Sequence, residues 1–275
     1  MCAICGCDSA THSPAHQHEH PHEHAHAHPH DHDHDHEHEH DHDHDHGPSH
    51  MRDARPLRII KLEQDVLLKN RLLAEHNRGW LAGRDIVALN LMSSPGSGKT
   101  TLLERTFREL GKELHFAVIE GDQQTSRDAD RIAATGTPVT QINTGTGCHL
   151  DAAMVRDALR ELSPPARSVV VIENVGNLVC PALFDLGEGA RILVFSVTEG
   201  EDKPLKYPHM FRASDVLLIN KIDLLPYVPF NLEQAIQYAL QVNPRLRIFT
   251  LSALRGDGLA AWYDWLRGQA AGQPT

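Results

Sequence analysis

The first fifty residues contain no lysine and no arginine. A segment without positive charge is a poor ligand for nucleic acid or for an anionic membrane surface, so neither is expected as a partner. The opening residues also lack the basic and apolar regions of a secretory signal and the arginines of a mitochondrial transit peptide, which makes a cytoplasmic location the expectation. Long apolar runs are missing too. The best of them, Val169–Ile172 and Ile192–Val197, are far too short to span a bilayer. Cysteine is scarce, with five in 275 residues. In a reducing compartment such clustered thiols read as metal or redox groups rather than structural disulfides.

Charge and histidine divide the chain in two. Met1–His50 holds 11 Asp/Glu, so the 26 acids that remain balance the 26 bases, although the whole carries a net charge of −11. Of 22 histidines, 18 fall between His12 and His50. The organisation expected is a Cys motif at 1–10, a His/Asp-rich tail at 11–50, a helix and linker at 51–84, and a globular domain at 85–270. The tail has almost nothing apolar to bury and is expected to be disordered without metal. Its imidazoles suit Ni, Zn, Cu and Co, and the interleaved carboxylates favour protonated His, so binding there should be multi-ion and lost in mild acid. Those carboxylates and the preceding Cys cluster set the run apart from an affinity tag.

Within the body, Leu57–Trp80 has apolar residues at Ile59, Leu62, Val66 and Leu73, with Ile60 and Leu67 alongside, a helical spacing. Buried strands are predicted at Ile86–Met92, Leu114–Ile119, Val169–Ile172, Ile192–Val197, Val216–Ile219 and Arg247–Leu251. Helices are predicted at Thr100–Leu110, Leu150–Leu162, Leu232–Val242 and Leu259–Leu266. Continuous apolar strands alternating with helices indicate an α/β fold, a mostly parallel sheet flanked by helices on both faces.

Ser93-Ser94-Pro95-Gly96-Ser97-Gly98-Lys99-Thr100 lies between a predicted strand and a predicted helix, the context a P-loop requires. Gly96, Ser97 and Gly98 let backbone N–H groups turn toward phosphate, Lys99 reaches the β- and γ-phosphates, and the Thr100 hydroxyl can bind Mg²⁺; Thr101 extends the set. Ser93 stands where the usual first glycine would be. Asn220-Lys221-Ile222-Asp223 follows another strand. The Asp223 carboxylate can accept from N1–H and N2–H₂ of guanine, which adenine lacks, so GTP is the expected nucleotide. Ser252 and Ala253 follow the next strand, where a backbone N–H can face guanine O6. Glu173-Asn174-Val175-Gly176 offers a carboxylate for Mg²⁺ or its waters and a glycine near the γ-phosphate. Asp122 offers a second acidic contact; Glu120 has no assigned role. The catalytic set expected is Lys99, Thr100, Asp122 and Glu173.

Cys2, Cys5 and Cys7 put three thiols within six residues, a set suited to Ni²⁺ or Zn²⁺, or to redox exchange. Cys148-His149 is placed at a helix start, and Cys180 follows the expected γ-phosphate sensor in one short loop. A metal held there could report nucleotide state. So few ligands per chain point to sharing across a two-fold axis.

Together the start Met-Cys-Ala-Ile-Cys-Gly-Cys, the His-rich tail, Asn90–Thr101, Gly145–Leu150 and Glu173–Pro181 resemble the HypB family, nickel-incorporation GTPases of [NiFe]-hydrogenase maturation. The resemblance implies a P-loop GTPase of the signal-recognition (SIMIBI) class that forms a nucleotide-dependent homodimer. It implies a nickel site on Cys2, Cys5 and Cys7, and a nickel/zinc site on Cys148, His149 and Cys180 near the dimer interface. Implied partners are the zinc-containing accessory protein HypA and the hydrogenase large-subunit precursor. The alternatives are a urease accessory GTPase, and a nickel store whose folded body is only a scaffold.

Overall fold

A computed structural model of the chain describes residues 55–122, 126–145 and 147–272, with side chains from Gln64 onward. Cys2, Cys5, Cys7 and the His-rich stretch lie outside the described residues.

The chain alternates helix and strand: α1 (Arg55–Ala82), β1 (Val87–Ser93), α2 (Lys99–Leu110), β2 (Phe116–Asp122), α3 (Arg127–Ala133), β3 (Val139–Asn143), α4 (Ala152–Leu162), β4 (Val169–Glu173), β5 (Ala190–Ser196), α5 (Lys203–Lys206), α6 (Pro208–Ala213), β6 (Val216–Asn220), α7 (Leu232–Val242), β7 (Arg247–Thr250) and α8 (Leu259–Ala270). The strands form one seven-stranded sheet in the order β3-β2-β4-β1-β5-β6-β7. Every neighbouring pair is parallel. β1 sits between β4 and β5, where the chain switches from one side of the sheet to the other. In such sheets ligands bind outside the carboxyl ends of the strands at this switch.

Both faces of the sheet are covered, which is why its central strands are apolar at consecutive positions. On one face Leu89 and Leu91 of β1 meet Leu102, Leu103 and Phe107 of α2 and Trp262 and Leu266 of α8. On the other, Ala88, Ile119 and Ile172 pack against Val155 and Leu159 of α4 and Leu81 of α1. A third cluster joins Leu193, Phe195 and Leu217 to Met210, Phe211 and Ala239. No helix among the described residues is long and apolar enough to cross a membrane.

Three parts differ from the sequence reading. The edge strand β3 and the short helices α3, α5 and α6 were not anticipated; β3 mixes Thr and Gln into its run, α5 has Pro204 at its second position and α6 opens on Pro208. The first helix forms, and of its expected apolar residues Leu67 packs against the core. Val66 is 41% exposed, whereas Asn70, Ala74, Asn77 and Leu81 are buried. Asn70 donates to the Asp185 carbonyl at 2.7 Å and accepts from the Ala152 N–H at 2.8 Å. Asn77 donates to the carbonyls of Ala152 and Leu186 at 2.8 and 3.0 Å. Paired amides fix this helix against the body, since a buried polar group is tolerated only when hydrogen-bonded. Finally, α4 begins at Ala152, capped by Asp151, rather than at Leu150, so Cys148 and His149 lie in the loop before it.

Candidate nucleotide site and metal-ligand cluster

The loop between β1 and α2 turns on Gly96 and Gly98, with φ of 75° and 96°. Gly98 caps α2 without any side-chain bond, which leaves the first N–H groups of that helix open to an anion. A methyl group at Gly98 would lie 2.6 Å from Asn220 Nδ2 as well as being strained. The Lys99 ammonium donates to Ser93 Oγ at 2.7 Å. Ser93 in turn donates to the Ser94 carbonyl at 2.6 Å, so the serine in place of glycine acts as a rest for the lysine. Burial lowers the Lys99 pKa, and the charge of Glu173 opposes this most strongly.

A cleft of about 330 Å³ opens beside the loop, lined by Gly96–Thr101, Asp128, Arg131, Glu173 and Lys221. Thr100 donates to Glu173 Oε1 at 2.8 Å, while Glu173 Oε2 is buried with no protein partner. Burial pushes the Glu173 carboxyl up, against the pull of Lys99. A threonine hydroxyl beside an unsatisfied carboxylate oxygen is a hard-oxygen donor set that fits Mg²⁺. Glu120 lies opposite Glu173 in the β2/β4 register and also has a buried, unpartnered Oε2. Its pKa is pushed up to about 8, first by burial and then by the charge of Glu173.

The strand ends on the other side of β1 close over the same loop. Asn220 donates to the Ser97 carbonyl at 2.9 Å, and Lys221 donates to the Gly96 carbonyl at 2.7 Å. The Ala253 N–H, expected to face guanine O6, donates to Asn220 Oδ1 at 3.0 Å. Ser252 is fully buried, and its hydroxyl accepts from the Arg255 N–H at 3.0 Å. Asp223 follows in a short 3₁₀ turn, its Oδ1 buried without a partner. Gly176 lies against Pro95 of the phosphate loop.

Asp122 ends β2, and its carbonyl accepts from the Thr144 N–H at 2.9 Å. It is not on the cleft wall in this structure; Asp128 and Arg131 of α3 are. Arg131 binds Glu104 at 2.6 Å, Asp128 at 3.1 Å and the Thr101 hydroxyl at 3.1 Å. Neither residue carries a motif signal, so only the placement of α3 reveals them. Glu199 was missed for the same reason. It accepts from the Ser94 hydroxyl and, at 3.1 Å, from the Ser196 N–H.

The second cluster lies beside the first. Ligand atoms of Cys148, His149 and Cys180 all fall within 4.8 Å of one another. The two sulfurs are 2.8 Å apart, and Cys148 Sγ is 3.7 Å from His149 Nδ1. Both cysteines are buried, and the imidazole stacks on Phe184 with ring centres 3.9 Å apart. Burial holds the His149 pKa below its usual value, which favours the neutral ring that a metal needs. Two thiols and an imidazole suit a borderline transition ion such as Ni²⁺ or Zn²⁺ rather than Mg²⁺.

Residues 87–250 match the CobW/HypB/UreG nucleotide-binding domain. Over 221 residues the chain is 55% identical to the hydrogenase maturation factor HypB of Escherichia coli strain K12, covering 80% of this chain and 76% of that one. The chain belongs to the HypB family. It is 56% identical to HypB of Rhizobium leguminosarum over 78% of this chain and 72% of the other. Among solved structures, HypB of Archaeoglobus fulgidus superposes with a TM-score of 0.70 at 40% identity, over 74% of this chain and 99% of that one. HypB of Helicobacter pylori in complex with nickel gives 0.69 at 38% identity, over 74% and 95%. The expected α/β P-loop architecture is thus that of HypB, and the chain carries the nucleotide-binding domain of a hydrogenase maturation factor.

Proposed function

We propose that this chain is a GTP-hydrolysing nickel chaperone that delivers nickel to the [NiFe]-hydrogenase large-subunit precursor. The carrying observation is that Cys180, close to Cys148 and His149 of another loop, follows Gly176 in the segment that leaves β4 after Glu173. The nickel complex of the Helicobacter pylori relative supports Ni²⁺ as the cargo.

In this reading the open N–H groups of α2 and Lys99 take the phosphates of GTP, and Asp223 accepts from guanine beside Ser252 and Ala253. Thr100 and Glu173 would hold Mg²⁺, which supplies charge neutralisation at the β- and γ-phosphates. Gly176 senses the γ-phosphate, while Asp122, off the cleft wall at the tip of β2, takes no step in this reading. Cys148, His149 and Cys180 hold Ni²⁺ or Zn²⁺ and change their grip with nucleotide state in a GTP-bound homodimer. Cys2, Cys5 and Cys7 form a separate nickel site, and the His-rich tail stores nickel. HypA and the hydrogenase precursor are the partners, in the cytoplasm.

Nickel titration of the full chain with and without a non-hydrolysable GTP analogue tests the coupling. Linkage demands that nucleotide change nickel affinity by the same factor that nickel changes nucleotide affinity. Identical nickel affinities at Cys148, His149 and Cys180 would remove the reading.

A urease-directed role is a second reading, favoured by the Helicobacter hepaticus relative, a hydrogenase/urease maturation factor 39% identical over 77% of this chain and 88% of that one. The enzyme that loses nickel in a deletion strain decides between them. A nickel store with an inert body predicts that Lys99→Ala leaves delivery intact; the chaperone reading predicts that delivery fails.

A further inference from the structure

The residue after His149 touches both acidic strand ends. The Leu150 side chain fills the space above Gly121, where a Cβ would lie 2.8 Å from Leu150 Cγ and 2.9 Å from each of its methyls. Gly121 separates Glu120 from Asp122 at the tip of β2, so any side chain there would expel the leucine. The Leu150 main-chain N–H donates to Asn174 Oδ1 at 3.2 Å. Asn174 follows Glu173 directly, and the same oxygen accepts from the Val175 N–H at 3.0 Å.

The Asn174 amide is not free to turn. Its Nδ2 donates to Asn90 Oδ1 at 3.3 Å, Asn90 donates to Glu188 Oε1 at 3.2 Å, and Arg191 holds Glu188 at 2.6 Å. Leu150 and Asn174 are both buried, Leu150 fully. A single fixed oxygen therefore serves the loop with Cys148 and His149 and the loop that leads through Gly176 to Cys180. Displacing Val175–Gly176 must stretch one of these bonds, and a buried N–H left unpaired is costly.

Resting on the chaperone reading, we propose that Leu150 and Asn174 are the positioning residues that transmit nucleotide state to the metal ligands. Val175 and Gly176 move with the γ-phosphate, Asn174 Oδ1 carries that movement to the Leu150 N–H, and Leu150 relays the position of the β2 tip through Gly121. Cys148 and His149 are then drawn toward or away from Cys180. Neither residue offers a ligand atom to metal or phosphate.

The test measures nickel affinity of the full chain with GDP and with a non-hydrolysable GTP analogue, in wild type, Asn174→Ala, Leu150→Ala and Leu150→Met. Wild type should show a ratio of about fivefold or more. Asn174→Ala and Leu150→Ala should bring it below about twofold while nickel affinity without nucleotide, and GDP affinity without nickel, stay within about threefold of wild type. Leu150→Met keeps the volume over Gly121 and the N–H, and should retain the ratio. Each alanine variant removes a buried partner, so melting curves accompany the titrations, and Leu150→Val, the smaller truncation over Gly121, serves where either fails to fold, with a ratio below that of wild type expected. Wild-type ratios in both alanine variants would overturn the assignment while leaving the chaperone reading intact. A wild-type ratio of one would remove that reading, and the assignment with it.

Discussion

The Asn220 side chain clasps two loops at once, donating to the Ser97 carbonyl at 2.9 Å and accepting from the Ala253 N–H at 3.0 Å. The guanine-side motif therefore supports the phosphate loop directly. Asn220→Ala should cut nucleotide affinity at least about tenfold and lower thermal stability, since removing one partner leaves buried groups unpaired at about 1–3 kcal/mol each. Gly98→Ala should act in the same direction, because its Cβ would strike Asn220 Nδ2. Calorimetric GDP titration and a melting curve check both. Unchanged affinity in Asn220→Ala would show that the clasp contributes nothing to the loop.

Asp223 makes the choice of base testable. Its Oδ1 is buried without a protein partner, an acceptor waiting for a donor. Asp223→Asn should weaken GTP by about 10²-fold or more and favour xanthosine triphosphate, whose C2 oxygen accepts from the new amide. Competition between the two nucleotides on wild type and variant reads this out, and retained GTP selectivity would count against the guanine assignment.

Motif and period made much of this legible. Apolar runs locate the central strands because both their faces are covered, and the helix predicted at Leu232–Val242 has those bounds in the structure, where Asn231 caps it. The Gly-Lys-Thr run placed the phosphate loop because its context is local. What stayed hidden depends on distant pairing. β3 is polar because it is an edge strand, Asp128 and Arg131 matter only through where α3 lands, and α1 is held by amides that apolar periodicity does not register. The juxtaposition of Cys148 with Cys180 comes from two loops that separate strands bring together, which spacing alone could only suggest.

Glu120 sets a pH dependence. Burial first, then the charges of Glu173, Asp122 and Asp128, hold its pKa at about 8 against an ordinary value of 4.5. Between those values the folded state keeps a proton that the unfolded chain has lost, so stability falls as pH rises from about 4.5 to about 8. Below that window the full stability is present. In EDTA without nucleotide, Glu120→Gln should flatten this slope and raise the melting temperature at pH 8.5 by a few degrees, with no gain at pH 4.5. Glu173 and Glu199, whose carboxyls are also pushed up by burial, account for the slope that remains. A variant no more stable than wild type at pH 8.5 would refute the buried-acid assignment.

The separation of Cys148 from Cys180 predicts how the metal-ligand cluster responds to oxidation. Their sulfurs, 2.8 Å apart, need a small further approach to reach the 2.03–2.05 Å of a disulfide. An azo oxidant such as diamide would take two electrons and two protons from the pair, becoming a hydrazine as the S–S bond forms. Peptide mapping of the metal-free chain should then recover the peptides of Cys148 and Cys180 linked, with nickel binding lost at that cluster and restored by dithiothreitol. Nickel loaded beforehand should slow the reaction, because sulfur donating to a metal is a poorer nucleophile than a thiolate. If the linked peptides never form while the N-terminal cysteines oxidise readily, the two loops do not come together in solution, and the coupling of ligand cluster to phosphate cleft loses its structural basis.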